Sequence, residues 1–387
     1  MDGLTLLNKA RAAGLTVEAH GNKLSINGPK TAGAVAKELL DHKAAVLAAL
    51  ASGSATRPTG HSAITPVSIL SFHTFIGHKH VVELLDRQIA GALARGQPCP
   101  HTLITGASGL GKTLLAETMA SEYGTKLVMA IGETSKVELV NKLIGLEAND
   151  FLLIDESQSL KGPVQELLYE AIDHRRVPRI PKSLAVDAPG DENDTTVTIP
   201  PFTVVLATDQ PGRLLNALQK RMALRVSLNY YPPDELKQIV DRMAKDMNLL
   251  LCEQAAILIA KVSAGLPRRV KHHLQNLQNH FPESENQQIS DQQVKEFLAA
   301  FDIDDKGLGA QEHQYLDYLR TGSASLESLA IHVGLDSDYV RRQIEPLLLR
   351  KRFVTIGSGG RRLTPEGQEW IQQTNSITQD RGKNGQS

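Results

Sequence analysis

Cysteine is almost absent from this chain: Cys99 and Cys252 are its only two in 387 residues. They stand far apart with no metal-ligand spacing. Neither a disulfide framework nor a thiolate zinc site is expected, and a reducing compartment fits. Aromatic residues make up 4% and tryptophan occurs once, so the cores must be built from Leu, Ile, Val and Ala. The formal net charge is −1, which excludes a global field that draws in polyanions. Any nucleic-acid binding needs a local basic patch. No uncharged apolar run reaches the ~18 residues of a membrane span. The first residues, MDGLTLLNKARAAGL, carry charges inside their apolar pattern and no small-residue cleavage site. Neither a span nor a signal peptide is expected, and the chain reads as cytoplasmic.

What is present falls into segments. Residues 1–50 read as a small α+β unit in which LTVEAHGNKLSING forms a hairpin turning at Gly21–Asn22. Residues 51–71, rich in Ser, Thr, Gly and Pro, read as a flexible linker. From 72 to 230 strand-like runs (HTLI, KLVMAI, DFLLID, FTVVLAT) alternate with helical patterns, which predicts an α/β domain with a parallel sheet. Residues 231–305 read as helical. Residues 306–375 read as helices followed by a short hairpin, and 376–387 as a disordered tail.

One stretch carries specific chemistry. Thr105–Leu115 reads TGASGLGKTLL, with the spacing Gly106-x4-Gly111-Lys112-Thr113 between a strand pattern and a helix pattern. This is the P-loop arrangement. Residues Gly106, Ala107, Ser108, Gly109, Leu110, Gly111 and Leu114 belong to the turn and its helix start. The glycines let backbone N–H groups converge on phosphate oxygens, and the helix N-terminus adds its dipole. Lys112 is expected to neutralise ATP phosphates and Thr113 to ligate Mg²⁺.

About 40 residues later FLLIDE ends an apolar strand in two acids. Asp155 is expected to hold Mg²⁺ through water, and Glu156 to orient and deprotonate the attacking water. FTVVLATD places Thr208 at the end of another strand, as a contact for the γ-phosphate or the lytic water. Arg221, in NALQKRMALRV, is expected to reach a neighbouring subunit's nucleotide, which implies a homo-oligomeric ring. In GLPRRVKHH, Arg268 opens a helix and is expected to reach the γ-phosphate of its own subunit. Arg269 and Lys271 read as surface residues.

At the C-terminal end SLESLAIHVGL and DSDYVRRQIEPLLLRKR read as helix-turn-helix, and FVTIGSGGRRLT as a wing. Positions 341, 342, 350, 351, 352, 361 and 362 are Arg or Lys, against one acid, Glu345. Arg350, Lys351, Arg352, Arg361 and Arg362 are therefore candidates for sequence-independent contact with a DNA backbone.

The order of P-loop, acid pair, sensor strand, arginine finger, second sensor arginine and helical lid resembles an AAA+ ATPase. FIGHKHVVELLDRQIAGALARGQPCPHTLITGASGLGKT, FLLIDESQSL, YYPPDEL and AGLPRRV, with EPLLLRKRFVTIGSGGRRLTPEG, resemble the bacterial RuvB branch-migration ATPase family over residues 72–375. That resemblance implies an AAA+ core with a helical lid and a winged-helix domain. It implies ATP and Mg²⁺ as cofactors and a hexameric ring working on double-stranded or branched DNA. It also implies a bacterial, nucleoid-associated setting and an adenine pocket lined by Phe75, Ile76 and Tyr231. The P-loop departs from the family's Gly-Pro-Pro-Gly as Gly106-Ala107-Ser108-Gly109. The hairpin segment VPRIPKSLAVDAPGDENDTTVTIP looks longer and acidic, without an obvious apolar tip, which leaves a RuvA-type partner open.

Residues 1–50 lie outside that family and resemble TubC-type docking domains. The resemblance implies a protein partner held through the hairpin edge. Two functions are thus weighed: a DNA motor, and an ATP-dependent switch of a mobile-element or defence system that recruits an effector through residues 1–50.

Overall fold

The computed structural model describes residues 16–20, 23–27, 37, 70–181, 194–282 and 287–372. Residue 37 apart, the expected helices of residues 1–50 lie outside these, as do residues 51–69 of the expected 51–71 linker, the acidic segment around 187–193 and the tail. Within the N-terminal unit, Met1–Val67, β1 (Thr16–His20) and β2 (Lys23–Asn27) pair antiparallel, His20 opposite Lys23.

The rest of the chain opens with α1 (Lys79–Arg95) and then alternates strand and helix: β3 (Thr102–Thr105), α2 (Lys112–Tyr123), β4 (Leu127–Ile131), α3 (Lys136–Ile144), β5 (Phe151–Asp155) and α4 (Gly162–His174). A short antiparallel pair, β6 (Arg176–Pro178) and β7 (Thr196–Thr198), precedes β8 (Thr203–Thr208). Then come α5 (Asn216–Arg221) and β9 (Leu224–Ser227). The strand order is β4-β5-β8-β3-β9, every neighbour parallel. Successive side chains of one strand go to opposite faces. Phe151 and Leu153 accordingly enter one core and Leu152 and Ile154 the other. Both faces are covered, which is why these strands are apolar throughout rather than alternating.

Four strands match the expected runs. The fifth, β9, does not: Leu224–Ser227 follows a basic helix and carries an exposed Arg225, so it reads as a helix tail in sequence. It is the edge strand beside β3, where one flank needs no partner and a charge is tolerated.

Four helices follow, α6 (Pro233–Asp246), α7 (Glu253–Val262), α8 (Pro267–His280) and α9 (Asp291–Ala300). Their apolar sides join the core beneath α1 and α2. A separate core around Tyr315, Leu329, Leu348 and Trp370 holds the C-terminal elements α10 (Ala310–Tyr318), α11 (Leu326–Val333), α12 (Ser337–Tyr339) and α13 (Glu345–Arg350). A π-turn, Val340–Ile344, joins α12 to α13 just before Pro346. Proline lacks an N–H and cannot continue the ordinary ladder, so a wider turn fits there. The wing is β10 (Val354–Gly357) and β11 (Gly360–Leu363), and Arg361 bridges to Ala324. At Gly360, φ is +99° and a Cβ would stand 2.4 Å from the Ala324 carbonyl oxygen, so only glycine fits. Among the described residues no helix is long and apolar enough to cross a membrane.

Candidate nucleotide site and the winged-helix face

The loop after β3 turns through Gly106, Gly109 and Gly111 with φ of +148°, +84° and +97°, conformations that side chains resist. Lys112 is 5% exposed, and its Nζ donates to the carbonyls of Gly106 at 2.9 Å and Ala107 at 3.1 Å. Burial pushes its ammonium below the usual lysine range, while Glu156, Asp209 and Asp155 pull it back up. Leu110 belongs to the core, so it offers a ligand only its backbone. Leu114 is exposed on the first turn of α2.

Two strand ends meet this loop. Thr113 Oγ1 donates to Asp155 Oδ2 at 2.7 Å, across 42 residues of sequence. The backbone N–H of Glu156 donates to Asp155 Oδ1 at 2.9 Å. Glu156 itself takes a left-handed φ of +50°, a strained turn of the kind that clusters at functional sites. Thr208 Oγ1, fully buried at the end of β8, donates to Gln158 Oε1 at 2.7 Å. Gln158 Nε2 in turn donates to Glu156 Oε2. Gln158 and its link between these two residues are not visible in the linear sequence.

Arg268 sits where α8 begins. Its backbone N–H donates to the Gly109 carbonyl at 3.2 Å, and its Nη1 to Ser108 Oγ at 2.8 Å. The lid is thereby tied to the phosphate loop. A Cβ on Gly109 would stand 2.7 Å from that of Arg268. Arg269, expected at the surface, is half-buried: its Nη2 donates to the Gly307 carbonyl at 2.6 Å, and burial lowers its pKa.

Tyr231 is buried against the loop, and burial pushes its phenol above the usual range. Its ring takes His78 edge-on at 4.5 Å, and Phe75 and Ile76 pack nearby on the same core. The three residues of the expected base pocket thus belong to one apolar core. Arg221 lies away from this loop, on its own subunit's Asp173. Its Nε donates to Asp173 Oδ1 at 2.8 Å, its Nη2 to the other oxygen, and its guanidinium covers Tyr169 at 4.7 Å.

The residues expected to contact DNA divide. Arg352 and Arg362 are exposed and Lys351 half-buried. Arg361, expected on phosphate, turns inward: its Nε donates to Glu345 Oε1 at 2.7 Å and its Nη2 to Oε2 at 3.3 Å. Glu345 is 2% exposed and also accepts from the Tyr315 hydroxyl at 3.0 Å. Burying this carboxylate demands a fixed cation, and Arg361 is it. Arg350 likewise stacks on Tyr230, 3.7 Å from the ring centroid, and donates to the Ala264 carbonyl. Both arginines hold the fold together rather than offering free charge. Arg361→Ala is expected to cost about 3–5 kcal/mol by leaving a buried charge unpaired. Urea unfolding followed at Trp370 should show it, and an unchanged midpoint would refute the structural assignment. The cleft that opens from the P-loop, about 800 Å³, also runs past Arg268 to Arg341 and Arg342.

A central parallel sheet with a P-loop and acid pair at its strand ends, followed by a helical lid, makes this an AAA+ ATPase fold. Residues 68–228 match the family described as "Holliday junction DNA helicase RuvB P-loop domain". Residues 231–304 match "RuvB AAA lid domain" and 305–372 "RuvB C-terminal winged helix domain". The RuvB subunit of the Holliday junction branch migration complex from Prochlorococcus marinus (strain MIT 9312) is 31% identical over 312 residues, 79% of this chain and 87% of that protein. Its counterpart from Thermotoga maritima is 31% identical over 300 residues, 76% and 88%. A solved Thermotoga maritima RuvB structure superposes with a TM-score of 0.67 at 30% identity, over 78% of this chain and 97% of that one. The chain belongs to the RuvB family.

Proposed function

We propose that the protein is a ring-forming ATPase that converts ATP hydrolysis into movement on branched duplex DNA, as the names of its relatives describe for them. The observation that carries this is the meeting of Thr113, Asp155, Glu156, Thr208 and Arg268 around one phosphate loop from four separate stretches of chain. Lys112 and Arg268 flank the phosphates. The purine stacks in the surface of Phe75, Ile76 and Tyr231. The Thr113 hydroxyl and Asp155 carboxylate are hard oxygen donors suited to Mg²⁺, which would neutralise charge developing on the phosphates. Glu156 takes the proton of the attacking water, and Arg221 of the neighbouring subunit stabilises the transition state. Arg352 and Arg362 touch the DNA backbone.

Family membership favours this motor over the effector-recruiting switch. Residues 1–50 remain a candidate handle for a protein partner.

The test is steady-state ATP hydrolysis without DNA, with linear duplex and with a four-way junction, at low and moderate salt. Hydrolysis should rise with DNA, most with the junction, and the stimulation should fade as salt increases. Turnover indifferent to every DNA would refute the motor.

A further inference from the structure

Two basic residues of the C-terminal stretch, Arg341 and Arg342, hold no part of the fold together and lie off the wing. Both come from the π-turn Val340–Ile344. A π-turn fits more residues into each revolution than an α-helix, so adjacent side chains diverge less, and such turns recur at functional sites. Both side chains are exposed. Arg342 Nη2 donates to Asp338 Oδ2 at 3.3 Å, in a surface pair of the kind that contributes little. Among the described residues no side-chain hydrogen bond holds Arg341, whose charge is felt by Glu327. Both guanidiniums are thus available to a ligand.

They line the same cleft as Gly106, Ala107 and Ser108 of the phosphate loop. Its volume of about 800 Å³ is several times that of a phosphate ion. On the loop side the cleft is lined by Asp209, whose charge acts on Lys112. On the winged-helix side stand Arg341 and Arg342. The other charges are engaged: Glu312 accepts from the Gly309 N–H at 3.0 Å, and Arg269 and Arg350 donate to backbone carbonyls. An anion set free at the loop is repelled by Asp209 and drawn to the two guanidiniums, whose planar forks match phosphate oxygens.

We infer that Arg341 and Arg342 form a second phosphate site, in which inorganic phosphate leaving the P-loop is held before it reaches solvent. This rests on ATP hydrolysis at that loop and not on DNA. It places the product of hydrolysis on the winged helix of the same subunit, so the C-terminal domain registers cleavage directly.

The test fills the P-loop first. The full chain, saturated with Mg²⁺ and a non-hydrolysable ATP analogue, is titrated with inorganic phosphate at constant ionic strength, and binding is followed by phosphorus NMR. One phosphate per chain should bind with Kd on the order of 1 mM. Arg341→Gln and Arg342→Gln should each weaken it roughly fivefold, the upper range for an exposed ion pair. The double variant should weaken it by at least about tenfold, and the Arg→Lys pair should keep most of the binding. In a single turnover of ATP, acid quench reports cleavage and a fluorescent reporter reports free phosphate. Wild type should show a lag between the two, and the double variant a lag roughly threefold shorter or less. Should the double variant fail to fold, the single variants decide. No saturable phosphate binding, binding that the variants leave unmoved, or a lag that is absent in wild type or unchanged in the variants overturns the proposal. Turnover indifferent to DNA refutes the motor and leaves these readouts standing. Loss of the phosphate site with DNA stimulation intact refutes only the site.

Discussion

Glu156→Gln is expected to bind ATP normally and to lose turnover by about 10²–10⁴-fold, the usual worth of a positioned general base. The substitution keeps size and shape and removes only the basic oxygen. The contacts that hold the phosphates do not involve it: Lys112 lies on the loop carbonyls and Thr113 on Asp155. Binding of a fluorescent ATP analogue and release of inorganic phosphate, measured on the same preparation, separate the two effects. Turnover within a fewfold of wild type would mean that another group activates the water.

Arg221→Ala should assemble and bind ATP yet lower turnover by about 10³–10⁵-fold, the range of an arginine finger supplied across an interface. In its own subunit the guanidinium pairs with Asp173 and lies over Tyr169. That pair is near the surface, where ion pairs contribute little. As the proposed finger, Arg221 would thus be pre-oriented by a weak tether, which the charge developing on a neighbour's nucleotide is expected to outcompete. Mixing provides the sharper measurement. Arg221→Ala lacks the finger and Lys112→Ala lacks the phosphate site. Mixed rings form some interfaces that pair an intact site with an intact finger, so part of the turnover should return. Two inactive variants that stay inactive when mixed would place Arg221 outside the interface.

The phosphate site was legible because its chemistry is local. Gly106, Gly111, Lys112 and Thr113 are fixed by the spacing that a loop around a phosphate demands, and Asp155 and Glu156 by the strand end that must face it. Arg268 lies 160 residues from Ser108 and was placed by its order in the chain, not by anything at its own position. The wing misled for a physical reason. Arg361 and Glu345 are 16 residues apart, on a strand and a helix. Only packing reveals that the one acid in the basic stretch is buried and takes one of its arginines. Strand β9 was missed because four residues at a sheet edge show neither a long apolar run nor a clear alternation. Gln158 escaped because a glutamine between two serines has no chemistry of its own until Thr208 arrives from another strand.

The tie between Arg268 and Ser108 also sets a gear ratio. Helix α8 spans fourteen residues from Pro267 to His280, about 21 Å at 1.5 Å per residue, and its pivot is the phosphate loop. The winged helix is bolted to the lid through Arg269 on Gly307 and Arg350 on Ala264 and Tyr230, so both swing as one arm. A tilt of about 10° at the pivot moves a point about 20 Å away by roughly 3.5 Å, close to the ~3.4 Å rise between base pairs. On the proposed motor, an ångström-scale change beside a departing phosphate would then be geared to about one base pair of travel, and stiffness at Gly307 and Tyr230 would decide how much of that stroke reaches the DNA.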